Sequence, residues 1–384
     1  MSVAFAAISL FALVLALTVL PFVPSILEWR RKTDAEPLTV VYSSAVDVRH
    51  FANGFREYVT AHLGALLEKF RDTTLIERGT LEDGTPYVAV GDGGGEVMTA
   101  EETRSRASQS VIVSAGDLLL PERTMFLPEI YAEGTIRGGE RNIYRAVLAG
   151  EDVQLGRESV CLRWLHADRV LTAQSGTALF GRASAARFMR LERGCRFERL
   201  NAPRVEFCYQ AEAGEFAGGS TYNQSAFLRP RDLPNRVEVK AGRWLVSGRL
   251  EIPPGKIVRA DLVATGAVRI GTGAHVVGNV KSHRDMTLER GVEVDGSVVS
   301  GCNIRFEEGC RIYGPAMAER SIYIGGGTVI GTASMPTTVT AENIVVEPGV
   351  VAHGTVWAHV EGRVAAGASR SRRERESEPE RKSA

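Results

Sequence analysis

Aromatic residues are scarce in this 384-residue chain, at 7%, and the five cysteines, Cys161, Cys195, Cys208, Cys302 and Cys310, are odd in number and form no CxxC pair. Neither a disulfide framework nor a zinc site of familiar spacing is therefore indicated, and a reducing compartment fits best. Net charge is absent too: 46 basic residues balance 46 acidic ones, so no long-range field attracts nucleic acid, and any charge effect must be local. No nucleophile triad, metal-ligand spacing or phosphate loop stands out, and the GDGGG stretch at 91–95 has no lysine-serine pair after it. No catalytic residue, cofactor or metal is assigned. What the chain has in abundance is glycine, 40 residues, with 44% hydrophobic content. Many tight turns over small aliphatic side chains direct the search to internal repeats.

One long hydrophobic run stands at the start. From Val3 to Trp29 the only charge is Glu28, enough apolar chain to cross about 30 Å of hydrocarbon as one helix. No basic segment precedes it and no small-residue cleavage site follows it, unlike a secretory signal. Arg30, Arg31 and Lys32 come directly after it, which predicts a single-pass inner-membrane anchor with the body of the chain in the cytoplasm. Pro21 and Pro24 are expected to kink or end the helix. Next, Val48, Phe51, Phe55, Val59, Leu63, Leu66 and Phe70 recur three or four apart, predicting an amphipathic helix that lies on the solenoid or a membrane. The stretch 79–96 reads as a hairpin followed by a glycine-rich turn.

From residue 250 the chain repeats. LEIPPG, VRIGTG, MTLERG, IRFEEG and IYIGGG begin at Leu250, Val268, Met286, Ile304 and Ile322, a constant step, and IVVEPG follows at Ile344 after a short insertion near Ser334 to Thr338. Between the glycines, apolar and polar residues alternate. Three short strands with glycine at the corners make one turn of a triangular β-helix built from 18-residue coils. Stacked turns place Ile252, Ile270, Leu288, Phe306, Ile324 and Val346 in one interior ladder, and Ala274, Val292, Cys310, Thr328 and Val350 in a second. A fainter copy precedes this: Val153, Leu171 and Met189 share the same step, and MRLERGCRF resembles MTLERGVEV.

The predicted fold is thus an all-β triangular β-solenoid preceded by a transmembrane helix and one amphipathic helix. The expected division is anchor 1–32, helix and hairpin 33–109, degenerate solenoid 110–210, linker 211–247, solenoid 248–367 and disordered tail 368–384. A lone turn loses more in ordering entropy than it gains by burial, so stacking alone makes the fold stable. A terminal turn presents open strand edges that invite another solenoid. The carboxyl-terminal end, with no capping helix in view, is the expected polymerisation surface, with Val350 and Val364 on it. A charge at Phe306 or Ile324 is expected to unfold the block, and one at Val350 or Val364 to stop assembly.

The coils LEIPPGKIVRADLVATGAVRIGTGAHVVGNV and MTLERGVEVDGSVVSGCNIRFEEGCRIYG resemble those of the bactofilins, bacterial polymer-forming cytoskeletal proteins, over about residues 247–367. The resemblance implies a right-handed β-helix, nucleotide-free head-to-head and tail-to-tail filaments, membrane association, and a role in cell shape or in placing envelope and polar proteins. Its expected partners are further copies of the chain, a lipid bilayer and envelope proteins, with no nucleic acid. Bactofilins are usually short with disordered tails, whereas this chain carries a long additional stretch with a second coil block. The main alternative is a hexapeptide-repeat acyltransferase, whose left-handed helix also uses 18-residue coils. Against it, the expected glycines appear only at Gly271 and Gly325, and His275, His283 and His353 sit at outward or corner positions without a carboxylate motif. An exported adhesin or lyase would call for the opposite orientation and clustered acidic residues.

Overall fold

The computed structural model describes residues 48–92, 96–208, 227–234, 237–240 and 242–366, with scattered residues between Leu10 and Val23. Two compact units result, Met1–Asp47 and Val48–Ala384. Among the described residues no helix is long and apolar enough to cross a membrane. This overturns the expected transmembrane helix, and with it the single-pass inner-membrane placement. Most of the run from Val3 to Trp29, the basic triplet after it and the 368–384 tail lie outside the described residues. Within the run, a 3-10 turn at Leu20–Phe22 contains Pro21, which has no N–H with which to continue an α-helical ladder.

The second unit is a β-solenoid of about 13 turns, its described strands joined in a single 32-stranded sheet. In its carboxyl-terminal block the strands Leu250–Ile252, Ile257–Val258 and Asp261–Ala264 form one turn. Each pairs in parallel with its counterpart one repeat later, as Ile252 with Ile270 and then Leu288, Phe306 and Ile324. The six members of that ladder are all buried, as are Ala274, Val292, Cys310, Thr328 and Val350. The insertion leaves as an exposed turn around Met335, so Ile322 pairs with Ile344 and the ladder regains its phase. At one corner the chain passes through the left-handed region at Gly273 (φ 65°), Gly291 (67°), Gly309 (72°) and Gly327 (71°), where any Cβ is strained.

An amino-terminal block follows the same plan with looser spacing. Ile112, Ile130, Val147, Leu165, Ala183 and Leu200 stack one above another, at a step of one full repeat or one residue fewer. The likeness of MRLERG to MTLERG has a physical basis. Glu192 accepts from Ser175 N at 3.0 Å, and Glu289 from Thr272 N at 3.0 Å, so each carboxylate ties its corner to the turn beneath. Both blocks reach beyond their expected bounds. The first begins with the antiparallel hairpin of Ile76–Thr80 and Pro86–Val90, the latter pairing with Val111–Ser114. The second takes in part of the expected linker: Val237–Lys240 forms a hairpin with Arg243–Val246, and Leu228 N donates to Ile257 O at 2.9 Å.

The helix α1, His50–Phe70, lies on the outer face of the first block. It buries Ala52, Val59, Leu63, Leu67 and Phe70 against Ala89, Val113, Tyr131, Leu148 and Trp164. Arg56 to Asp168 at 2.7 Å and Arg71 to Glu133 at 3.0 Å fix its position. The same face of the second block needs no such cover along its polar column. There Asn279 N donates to Asp261 at 2.9 Å and Ser297 N to Asn279 at 2.8 Å, a hydrogen-bonded ladder of side chains in place of an apolar one.

Candidate functional site: the solenoid ends and the seam

A strand edge left unpaired is the chemically active feature of a solenoid, because each N–H and C=O along it needs a partner. The carboxyl-terminal end expected to be open is closed. Its last strand, Val350–Val364, pairs antiparallel with Arg196–Phe207, the last strand of the first block. The register places Val350 opposite Phe207, Val356 opposite Leu200 and Gly362 opposite Phe197. Val350 and Val364 are both buried. Val364 N donates to Cys195 O at 2.8 Å and Gly349 N to Phe207 O at 2.7 Å. The two blocks therefore meet tail to tail within one chain, each sealing the edge the other would expose.

Side chains lock this seam. Asn201 Nδ2 donates to Thr355 Oγ1 at 2.8 Å, His353 Nδ1 lies 2.9 Å from Pro203 O, and the Arg199 guanidinium sits 4.7 Å from the centre of the Trp357 ring. Gly362 leaves room for the Phe197 ring, into which a Cβ would project. Phe197 in turn packs on Phe207 with centroids 5.8 Å apart.

With both tails joined, the rod ends at the amino-terminal turns of its two blocks. One end is plugged by Val97 and Met98, both buried, beside the short helix Ala100–Ser105, where Thr99 and Glu102 form a reciprocal capping box. The other end carries Trp244, Leu228 and Leu233 beneath the strand Val237–Lys240. In that strand Val239 is 56% exposed and is flanked by Glu238 and Lys240.

The three histidines considered for catalysis are not brought together. His275 Nε2 lies 2.8 Å from Asp295, His283 lines a shallow depression of about 450 Å³ with Lys281 and Glu319, and His353 is at the seam. His275, Glu293 and Asp295 offer ligand atoms within 4.8 Å of one another, although Glu293 also accepts from Tyr313 OH at 2.8 Å. Burial pushes the thiols of Cys161 and Cys195 up to about 12 and that of Cys310 up to about 11, which disfavours the nucleophilic thiolate form. Sequence reasoning missed a buried polar group under α1. His166 Nδ1 lies 2.7 Å from Ser184 Oγ, its Nε2 lies 3.1 Å from Asp168, and Asp168 also meets Arg56. The spacing of His166 and Ser184, one full repeat, was the available signal.

No protein-family model, no curated protein and no solved structure matches this chain.

Proposed function

We propose that this protein is a structural scaffold, a stiff β-solenoid rod that associates end to end through the exposed strand Val237–Lys240, with a mechanical rather than a catalytic role. The observation that carries this reading is the closure of both carboxyl-terminal edges at the seam, which leaves the outer hairpins as the rod's termini. The likeness of its coils to bactofilins supports the same reading, with the contact moved from the carboxyl-terminal edge to the amino-terminal one. Two copies of Val237–Lys240 laid antiparallel about Val239 put Glu238 of each opposite Lys240 of the other. Such a cross-strand pair contributes roughly 0.2–1 kcal/mol, and a like-charge pair opposes association by a similar amount.

Sedimentation velocity and electron microscopy of the full chain test the proposal. Wild type is expected to form concentration-dependent oligomers or filaments, Glu238→Lys to dissociate them, and Glu238→Lys with Lys240→Glu to restore them. Single chains at every concentration, or identical profiles for all three proteins, would overturn it.

A further inference from the structure

On the outer face beside the seam, Arg182 and Arg199 stand directly opposite each other on adjacent parallel strands. Neighbouring strands lie about 4.8 Å apart, and like charges so placed repel. Arginines nearby have carboxylate partners, as in Arg56 with Asp168, Arg169 with Glu151 and Arg190 with Glu206. Arg182 and Arg199 have no such partner among the described residues. Each guanidinium rests on an aromatic ring instead: Arg182 at 5.4 Å from the centre of Phe51, and Arg199 at 4.7 Å from that of Trp357. The Nε of Arg199 is buried and makes no hydrogen bond. Burial, and after it the proximity of Arg182, lowers the pKa of Arg199.

Phe51 belongs to the first turn of α1, so Arg182 lies against the amino-terminal turn of a 21-residue helix, with Arg199 on the next strand. That end of the helix has no acidic residue in its first turn and, among the described residues, no side-chain cap. The first helical bond runs from Asn53 N to Arg49 O at 2.8 Å, leaving the N–H groups of His50, Phe51 and Ala52 outside the helix ladder. N–H groups outside the ladder and the positive end of the helix dipole favour an anion. Two planar guanidinium forks suit a tetrahedral oxyanion with several acceptor oxygens.

We infer that Arg182 and Arg199, with the amino terminus of α1, form a binding site for a phosphate monoester dianion. The anion would bridge the two guanidiniums, relieve their repulsion and clip the helix to the solenoid next to the seam. Its source is a soluble phosphorylated compound or the headgroup of a phosphatidic-acid-type lipid, which share this chemistry.

Titration calorimetry and thermal unfolding of the full chain with inorganic phosphate, at constant ionic strength set with sodium chloride, test the inference. Saturable binding is expected, weakened at least tenfold in Arg182→Gln and in Arg199→Gln and unchanged in Arg187→Gln. Without phosphate, Arg182→Gln is expected to melt no lower than wild type, because it removes a repulsive charge, and a lower melting temperature would instead mark a bracing role; Arg199→Gln also loses the Trp357 contact at the seam and is judged by its phosphate affinity alone. Vesicles of phosphatidylcholine with and without phosphatidic acid separate the sources. Arginine-dependent sedimentation with acidic vesicles selects the headgroup, and phosphate binding without vesicle binding selects a soluble ligand. Unsaturable effects equal in all four proteins, or wild-type phosphate affinity in Arg182→Gln, would overturn the site.

Discussion

Phe306 is fully buried in the axial ladder between Leu288 and Ile324, and its truncation to alanine is expected to cost about 3–5 kcal/mol, measurable by urea unfolding. Gly362 makes a different demand. Gly362→Val drives a side chain into Phe197 and is expected to loosen the seam while leaving each block folded, seen as faster amide exchange confined to Arg196–Phe207 and Val350–Val364. His166 supplies a pH dependence. Burial is the main cause that lowers its pKa, with Arg49 and Arg56 adding to it and Asp168 opposing. A depressed folded value means that the unfolded chain takes up the proton first, near its ordinary pKa of about 6.5. Stability is therefore complete above that pH and falls as pH drops through the folded value. Urea midpoints at pH 5 and pH 8 should differ for wild type and converge in His166→Gln. The ladder residues were legible in the sequence because a fixed period assigns every member at once. His166 was not, because a single polar residue on an outward column looks solvated until a helix is laid over it.

Among the elements, α1 was readable from its three-to-four spacing and the solenoid was one of its two expected docking surfaces, but the face it covers was not readable. The face it covers, with Ala89, Val113, Tyr131 and Leu148 on one outward column, departs from the polar-outward alternation expected of a solenoid. That departure was obscured because the amino-terminal repeats slip by one residue at some turns and not at others. Leu63→Ala is expected to destabilise the first block by about 2–5 kcal/mol and Leu63→Asp to release the helix, detected as new protease cleavage within His50–Phe70. The second block should remain protected in both cases, since its matching column Asp261, Asn279 and Ser297 satisfies itself by hydrogen bonding. Of the hairpins at the two ends, the amino-terminal one was legible near residues 79–96 and the other was not. Residues 227–246 carry proline, glycine and asparagine, a composition suited to a linker, and only their pairing with the first full turn makes them part of the block.

For the solenoid as a whole, about 13 turns at about 4.8 Å each give a length of about 60 Å, which small-angle scattering can check. The antiparallel joint at its middle had no signature in the sequence. Arg196–Phe207 and Val350–Val364 each read as a strand with one buried side, and periodicity does not say which edge meets which when the whole second block lies between them. The same joint alters how the protein responds to abundance. A contact between separate molecules comes apart on dilution, whereas a contact between two segments of one chain experiences a local concentration on the order of millimolar. The tail-to-tail bond is thus present once per polypeptide whatever the expression level.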